Sequence, residues 1–423
     1  MIETHTYTDF SREMYSEVHA LRIPANVTIE LTNRCPLECA HCYNNLPMSD
    51  AKARRTELTT EEHIRVLDEL AELGCLWLLF SGGEILARSD FFEIYRHAIS
   101  KGFLVTLFTN GTLITERVAN ALAALPPFMI EITLYGRTKD TYESLTGIPG
   151  SFERCLRGIH LLMERKLPLK LKTVAVTINK HEVWAMKRFS EELGLEFKFD
   201  PMINPRIDCS NSPLAVRLTP AEIVALDLED PKRVADWRRL ATSFEPAELL
   251  EGEQPQLYDC GGGVDSFALD PYGNMTICVL SHVDKYNIRN GGVREGWQQF
   301  LLGVRQKPAK RVNKCTRCIL NALCGSCPAQ NELDNGDPES PVDFLCRTAH
   351  LRAEVFGVEV RAHGECEYCV GGSHRAKIEH GLEEVRARSG GQAILPVVTE
   401  TDGRDHLSST GCGPGSCGSC SLH

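Results

Sequence analysis

Between residues 25 and 205, short runs of apolar, β-branched and aromatic residues alternate with amphipathic stretches of helical length, which leaves the chain few folds to choose from. The runs VTIELT (27–32), LWLLFS (76–81), FLVTLFT (103–109), FMIEITL (128–134), LKLKTVAV (169–176) and LEFKFDPM (195–202) read as strands. Residues 60–73, 90–101, 115–124, 151–166 and 181–193 carry the helical patterns between them. Strands joined through helices pair in parallel and form a sheet buried on both faces. Six such units predict a partial (β/α)6 barrel, short of the closed eight-stranded form and open sideways to a large substrate. Chemistry in such α/β folds collects at the carboxyl ends of the strands, where Cys35, Gly82, Asn110 and Gly136 fall.

The rest of the chain divides by composition. Residues 1–24 form an N-terminal lead, 25–205 the partial barrel, and 206–255 an irregular, acidic linker in which LTPAEI opens a helix with a Thr cap and an early Pro. Residues 256–350 make a cysteine-rich domain with one hairpin signal, FALDPYGNMTIC. Residues 351–423 contain CEYC, a short helix over 378–388, and a flexible Gly/Ser/Cys tail.

With 46 Lys and Arg against 57 Asp and Glu, the net charge is -11, and no basic run tracks a phosphate backbone; nucleic acid is excluded as a partner. No stretch approaches the apolar length of a membrane span, and the first residues lack the basic-then-apolar pattern of an export signal, so a cytoplasmic location is expected. In a large chain of that kind, 18 cysteines read as metal ligands rather than disulfides.

Directly after the first strand, CPLECAHC places Cys35, Cys39 and Cys42 with three and then two residues between them. Three thiolates on a [4Fe-4S] cluster leave one iron open, whereas an electron-carrying ferredoxin fills all four positions. Taken alone the spacing also suits a zinc site or chance. SGGE (81–84) ends the second strand, and by itself it also reads as an ordinary βα turn.

Together, CPLECAHC, SGGE and the βα units that carry them resemble the radical S-adenosylmethionine (AdoMet) superfamily. The resemblance implies that Cys35, Cys39 and Cys42 hold a [4Fe-4S] cluster and act in catalysis, with AdoMet on the open iron. It implies that Ser81, Gly82, Gly83 and Glu84 hold the methionine amino group, Ile85 replacing the usual Pro. His41 is expected near the adenine, and Asn110, Thr133 and Lys172 near the ribose, although an ordinary structural role fits each as well. The implied chemistry is reductive cleavage of AdoMet to a 5'-deoxyadenosyl radical that takes hydrogen from a substrate.

A second cysteine series follows: Cys260, twelve residues, Gly273, four residues, Cys278, then CTRCILNALCGSC and Cys346. It resembles the seven-cysteine SPASM domain of enzymes that mature peptides, proteins and some cofactors, with two residues rather than the more usual three between Cys324 and Cys327. The resemblance implies two auxiliary clusters, one on Cys315, Cys318, Cys324 and Cys346 and the other on Cys260, Cys278 and Cys327. The second is one ligand short, so an open iron is expected there that binds a substrate thiol or serves as a labile electron site; a fourth protein ligand such as Cys366 or Cys369 would refute this. A zinc ribbon is the plainer reading of the two CxxC pairs. Cys75 and Cys155 are expected in the core; Cys209, Cys412, Cys417 and Cys420 take no assigned role.

The LTNRCPLEC loop resembles those of peptide-maturing SPASM enzymes, the pyrroloquinoline quinone maturases among them. The expected function is therefore modification of a ribosomal peptide by a thioether or carbon-carbon crosslink, with a flavodoxin or ferredoxin as reductant. Only 34 residues precede Cys35, too few for a leader-binding winged helix, so leader recognition is expected to come from a separate leader-peptide chaperone or not to occur. Haem or other cofactor-precursor modification, on a small-molecule substrate, is the enzymatic alternative. Sulfatase maturation is disfavoured by Val279 after Cys278, where those enzymes carry an acid, and a non-catalytic electron carrier by SGGE.

Overall fold

The computed structural model describes residues 7–243, 255–316, 318–358, 360 and 365–390. The chain divides into two units, one of residues 1–217 with 260–306, the other essentially of 218–259 with 307–421.

The first unit opens on a helix where a bare lead was expected, α1 (Tyr7–Leu21), whose buried Tyr15 and Val18 give it one apolar side. The six expected strands follow as β1 (Asn26–Thr32), β2 (Trp77–Gly82), β3 (Leu104–Thr109), β4 (Met129–Thr133), β5 (Leu169–Val174) and β6 (Glu196–Asp200). They are separated by α2 (Thr60–Glu72), α3 (Phe91–Ser100), α4 (Glu116–Ala124), α5 (Ser151–Glu164) and α6 (Val183–Glu192). Thr59 starts α2 through a capping box with Glu62. All five strand pairs from β1 to β6 are parallel and follow chain order.

The sheet does not end at β1. The hairpin β7 (Ser266–Leu269) and β8 (Asn274–Thr276) lays β7 parallel against the free edge of β1, Val27 opposite Phe267, and β9 (Tyr286–Asn287) adds a last strand. The order is β9-β8-β7-β1-β2-β3-β4-β5-β6. The turn closes because Gly273 takes φ +87° while Asp270 Oδ1 accepts from the backbone of Tyr272 and Asn274, each at 2.8 Å.

Alternation along the strands sorts the side chains onto two unlike faces. One carries Ile29, Leu31, Phe80, Val105, Leu107, Ile130, Ile132 and Leu171, all buried and apolar. The other carries Glu30, Ser81, Phe108, Glu131, Thr133, Lys172 and Lys198, and most of these are also buried. Both faces are largely buried, as expected of a parallel sheet, but one of them is charged.

In the second unit, the stretch expected as a linker holds two helices, α7 (Pro220–Glu229) and α8 (Pro231–Ser243). Thr219 caps α7 with Pro220 in the first turn, as LTPAEI suggested. Further along come α9 (Asp343–Phe356) and α10 (Arg375–Arg388). Ala221, Val224, Leu351, Val355, Phe356, Tyr368, Ile378 and Val385 share one core, together with Cys346, Cys366 and Cys369. Within it Asp227 is fully buried and accepts from Arg352 at 2.9 Å and Arg233 at 2.6 Å. Burial would raise the Asp227 pKa, but the two guanidiniums outweigh it and hold the carboxyl below its ordinary value.

Candidate active site

Beyond Thr32 the chain turns into the loop that bears Cys35, Cys39 and Cys42. Its shape is set from several sides. Arg34 grips Glu57 through two buried hydrogen bonds of 2.9 Å each, and the Thr32 hydroxyl donates to the same carboxylate at 2.5 Å. Glu38 and Ala40 donate their backbone N–H to Thr146 and Leu145 carbonyls at 2.9 and 3.0 Å. Arg206 donates to the Cys42 carbonyl at 3.0 Å and to the side-chain and backbone oxygens of Asn45 at 2.9 and 3.1 Å.

The glycines of SGGE act first on this loop. Gly82 has φ +127°, and a Cβ there would lie 2.2 Å from the Thr32 carbonyl oxygen. A Cβ on Gly83 would lie 2.6 Å from two loop carbonyls, those of Asn33 and Arg34. The close approach lets Gly83 and Glu84 donate their backbone N–H to Thr32 and Arg34 at 2.6 and 2.9 Å. Glu84, wholly buried, accepts from the Leu86 and Asn110 backbones at 3.1 and 2.9 Å and from the Thr109 hydroxyl at 2.8 Å. Three donors leave roughly one of a carboxylate's four acceptor positions. Glu84 therefore ties the ends of β2 and β3 together, and Asn110 turns its amide to Cys35 Sγ at 3.5 Å.

Burial pushes the Cys35 thiol up to about 12, with Glu84 and Cys42 adding to the shift. Burial also raises Cys39 well above its ordinary value and raises Cys42, and the Cys39 thiol is pushed further by the other two. With burial and one another opposing the thiolate form, these three half-buried thiols would ionise against a cation, and a bound iron would deprotonate its sulfur ligands outright. Next to them His41, its pKa lowered to about 4 by burial, packs on Tyr135 with ring centroids 5.4 Å apart. Its Nδ1 is buried with no hydrogen-bond partner among the described residues.

The charged sheet face supplies groups that sequence reasoning missed. Glu30, on β1 before the loop, accepts from Asn44 at 2.8 Å and from the Tyr43 hydroxyl, and burial raises its pKa to about 7. Glu131 pairs with Lys172 at 3.4 Å and Lys198 at 3.0 Å. Burial lowers the Lys172 pKa well below its usual value despite Glu131, and its Nζ sits 2.8 Å from the centroid of the Phe108 ring. Lys172 neighbours Thr133 in register, as the strand ends suggested.

The later cysteines fall into both units. Cys260 and Cys278 flank the hairpin in the first, while Cys315, Cys318, Cys324, Cys327 and Cys346 lie in the second. Burial raises Cys315 to about 11 and Cys346 to about 12, and Cys324 higher still, each coupled to others of the set Cys315, Cys318, Cys324 and Cys346. Cys366 and Cys369 gather around His350. Cys75 and Cys155 are buried, as expected; Cys412, Cys417 and Cys420 lie outside the described residues.

The Radical SAM superfamily model matches residues 29–190, which spans β1 through α6. A PqqA peptide cyclase of Rhodopseudomonas palustris is 36% identical over 347 residues, covering 79% of this chain and 89% of its own. An AdoMet-dependent heme synthase of Methanosarcina barkeri is 28% identical over 335 residues, covering 74% and 94%. The crystal structure of Streptococcus suis SuiB bound to its precursor peptide SuiA shares the fold at a TM-score of 0.61, 16% identity and 82% coverage of both chains. The chain belongs to the radical SAM superfamily. It is a radical AdoMet enzyme whose cofactors are [4Fe-4S] iron-sulfur and AdoMet, with relatives that act on peptides and on haem precursors.

Proposed function

We propose that this enzyme modifies a peptide, forming a thioether or carbon-carbon crosslink. The observation that carries the reading is the charged sheet face: its cations, Lys172 and Lys198, both sit on Glu131, and burial holds the Lys172 pKa well below its usual value. A porphyrin asks for an apolar slot with cations available to its propionates, whereas a peptide asks for donors and acceptors along its backbone. Glu30, Ser81, Asn110 and Thr133 offer those at one end of the sheet. The 36% identical peptide cyclase agrees with it.

In this reading Cys35, Cys39 and Cys42 hold the AdoMet-binding cluster, and the loop's own charges fix their spacing. Bound there, AdoMet and the cluster supply a 5'-deoxyadenosyl radical once an electron arrives from a flavodoxin or ferredoxin. Ser81, Gly82, Gly83 and Glu84 hold the methionine end, Glu84 with its remaining acceptor position. His41 offers its unpartnered Nδ1, and Asn110, Thr133 and Lys172 line the ribose side. Cys315, Cys318, Cys324 and Cys346 hold one auxiliary cluster. In a domain reading, 25–205 is the catalytic barrel and 256–350 the auxiliary-cluster region.

The test is anaerobic turnover with AdoMet and dithionite, offering the short peptides encoded beside the gene in one arm and iron coproporphyrin in another. 5'-Deoxyadenosine with a matching mass loss in a peptide is expected. Turnover of the porphyrin alone overturns the peptide reading, and no 5'-deoxyadenosine in any arm overturns catalysis.

A further inference from the structure

Cys366 and Cys369 lie beyond the cysteines that the family resemblance uses, yet they are buried, 7% and 3% exposed, around the equally buried His350. They sit two residues apart on a tight knuckle. Cys369 donates its N–H to the Cys366 carbonyl at 3.3 Å and Gly372 to Cys369 at 2.9 Å. A Cβ on Gly372 would lie 2.3 Å from the Glu367 carbonyl, so only glycine closes the loop this far. Lys314 holds Glu367 at 2.7 Å, and Tyr368 packs on both His350 and His374.

His350 projects from α9 onto this knuckle. Its Nε2 is 3.5 Å from Cys366 Sγ and 3.7 Å from Cys369 Sγ, while its Nδ1 is 2.8 Å from the Cys346 carbonyl oxygen. A carbonyl accepts only from a protonated nitrogen, so Nδ1 carries the hydrogen and Nε2 turns its lone pair toward two sulfurs. That is the second-sphere arrangement that orients metal-bound histidines. Zinc bonds of about 2.0–2.1 Å to nitrogen and 2.3 Å to sulfur put a tetrahedral N···S edge near about 3.6 Å. The two observed separations bracket it, and all three ligand atoms lie within 4.8 Å of one another.

We propose that His350, Cys366 and Cys369 form a tetrahedral zinc site, built on ligands other than the cluster cysteines and lying beside Cys346, that locks the knuckle onto α9. Two thiolates and a neutral imidazole suit a borderline-soft divalent ion, and their charge cancels its own, which is what a buried site requires. Both thiol protons leave as the ion binds, and the fourth position is completed by water or a further thiolate. Nothing in this site depends on which substrate the enzyme takes.

The test uses the holoenzyme purified anaerobically after growth with zinc. About one zinc per chain is expected, with a zinc K-edge spectrum of sulfur at about 2.3 Å and nitrogen at about 2.0–2.1 Å. Cys369→Ser and His350→Ala should lose at least about 10-fold in zinc occupancy with iron unchanged. His350→Cys should keep the metal. Wild-type enzyme with full iron but no zinc overturns the proposal, as do variants that lose iron in place of zinc or a K-edge shell without nitrogen. The wild-type spectrum decides the matter even if a variant fails to fold.

Discussion

The Cys35–Cys39–Cys42 loop keeps its thiols half-buried and is held by backbone and charge, whereas the Cys366–Cys369 knuckle is closed inside a hydrophobic core. Around the first, Gly82 and Gly83 let a strand end lie on the loop, and Glu57, Arg34 and Arg206 fix what remains. Polar capacity is left over there: His41 Nδ1 has no protein partner among the described residues, and Glu84 retains an acceptor position. Around the second, Tyr368, Leu351 and Ile378 close the space, and both nitrogens of His350 are engaged. A region that receives a guest holds polar groups in reserve; one that secures the fold spends them.

The largest effect that sharpens this contrast is Cys39→Ser. It should remove about four irons per chain and take 5'-deoxyadenosine formation below detection, by iron analysis and chromatography. Retained cleavage would remove the first loop from catalysis. Next, Asp227→Asn leaves Arg352 buried beside an uncharged amide and should cost about 3–5 kcal/mol in chemical denaturation. An unchanged midpoint would show that the second region does not rest on its buried ion pairs.

Glu30 gives the pH test. Its folded pKa, raised by burial from 4.5 to about 7, favours the protonated form in the fold. The stability it contributes is full below about pH 4.5, fades as pH rises through about 7, and amounts to about 3 kcal/mol. Melting temperature should therefore fall between about pH 4.5 and 7 and level off above that, and Glu30→Gln should flatten the fall; parallel profiles would count against the burial account. The smallest expected effect is Gly83→Ala, whose methyl meets two backbone carbonyls. A cost of about 1–3 kcal/mol in stability is expected, with AdoMet cleavage down about 10-fold or more, measured by thermal melts and turnover. Wild-type behaviour would mean the loop moves freely.

Much of this was legible. Each of the six parallel strands lies within two residues or so of its expected bounds, because long β-branched runs bounded by helical periods leave little ambiguity. The cysteine spacings and SGGE stood out because each is local. The charged sheet face went unread although its signal was present: VTIELT, MIEIT and LKLKTV alternate apolar with polar residues, which identifies Glu30, Glu131 and Lys172 as sharing one side. Helix α1 was passed over because its apolar residues are few and its flanks polar. No local signal joins β7 to β1 or His350 to Cys366, since strand order and cross-chain pairs arise only from tertiary packing.

The place of β7 bears on how the chain is born. β1 emerges early from the ribosome and finds β2 some fifty residues later, but its other edge waits for Ser266–Leu269. Until then a row of unpaired N–H and C=O groups, flanked by Val27, Ile29 and Leu31, stands open to any passing strand. Helix α1 waits as well, for His19 meets Asp265 at 2.9 Å and Arg22 meets the carbonyl of Gly263 at 2.8 Å. Such late, long-range closure slows folding and prolongs exposure to aggregation. Protein cut before residue 260 should precipitate, and synthesis in the cell should lean on chaperones for the interval between the two halves of the sheet.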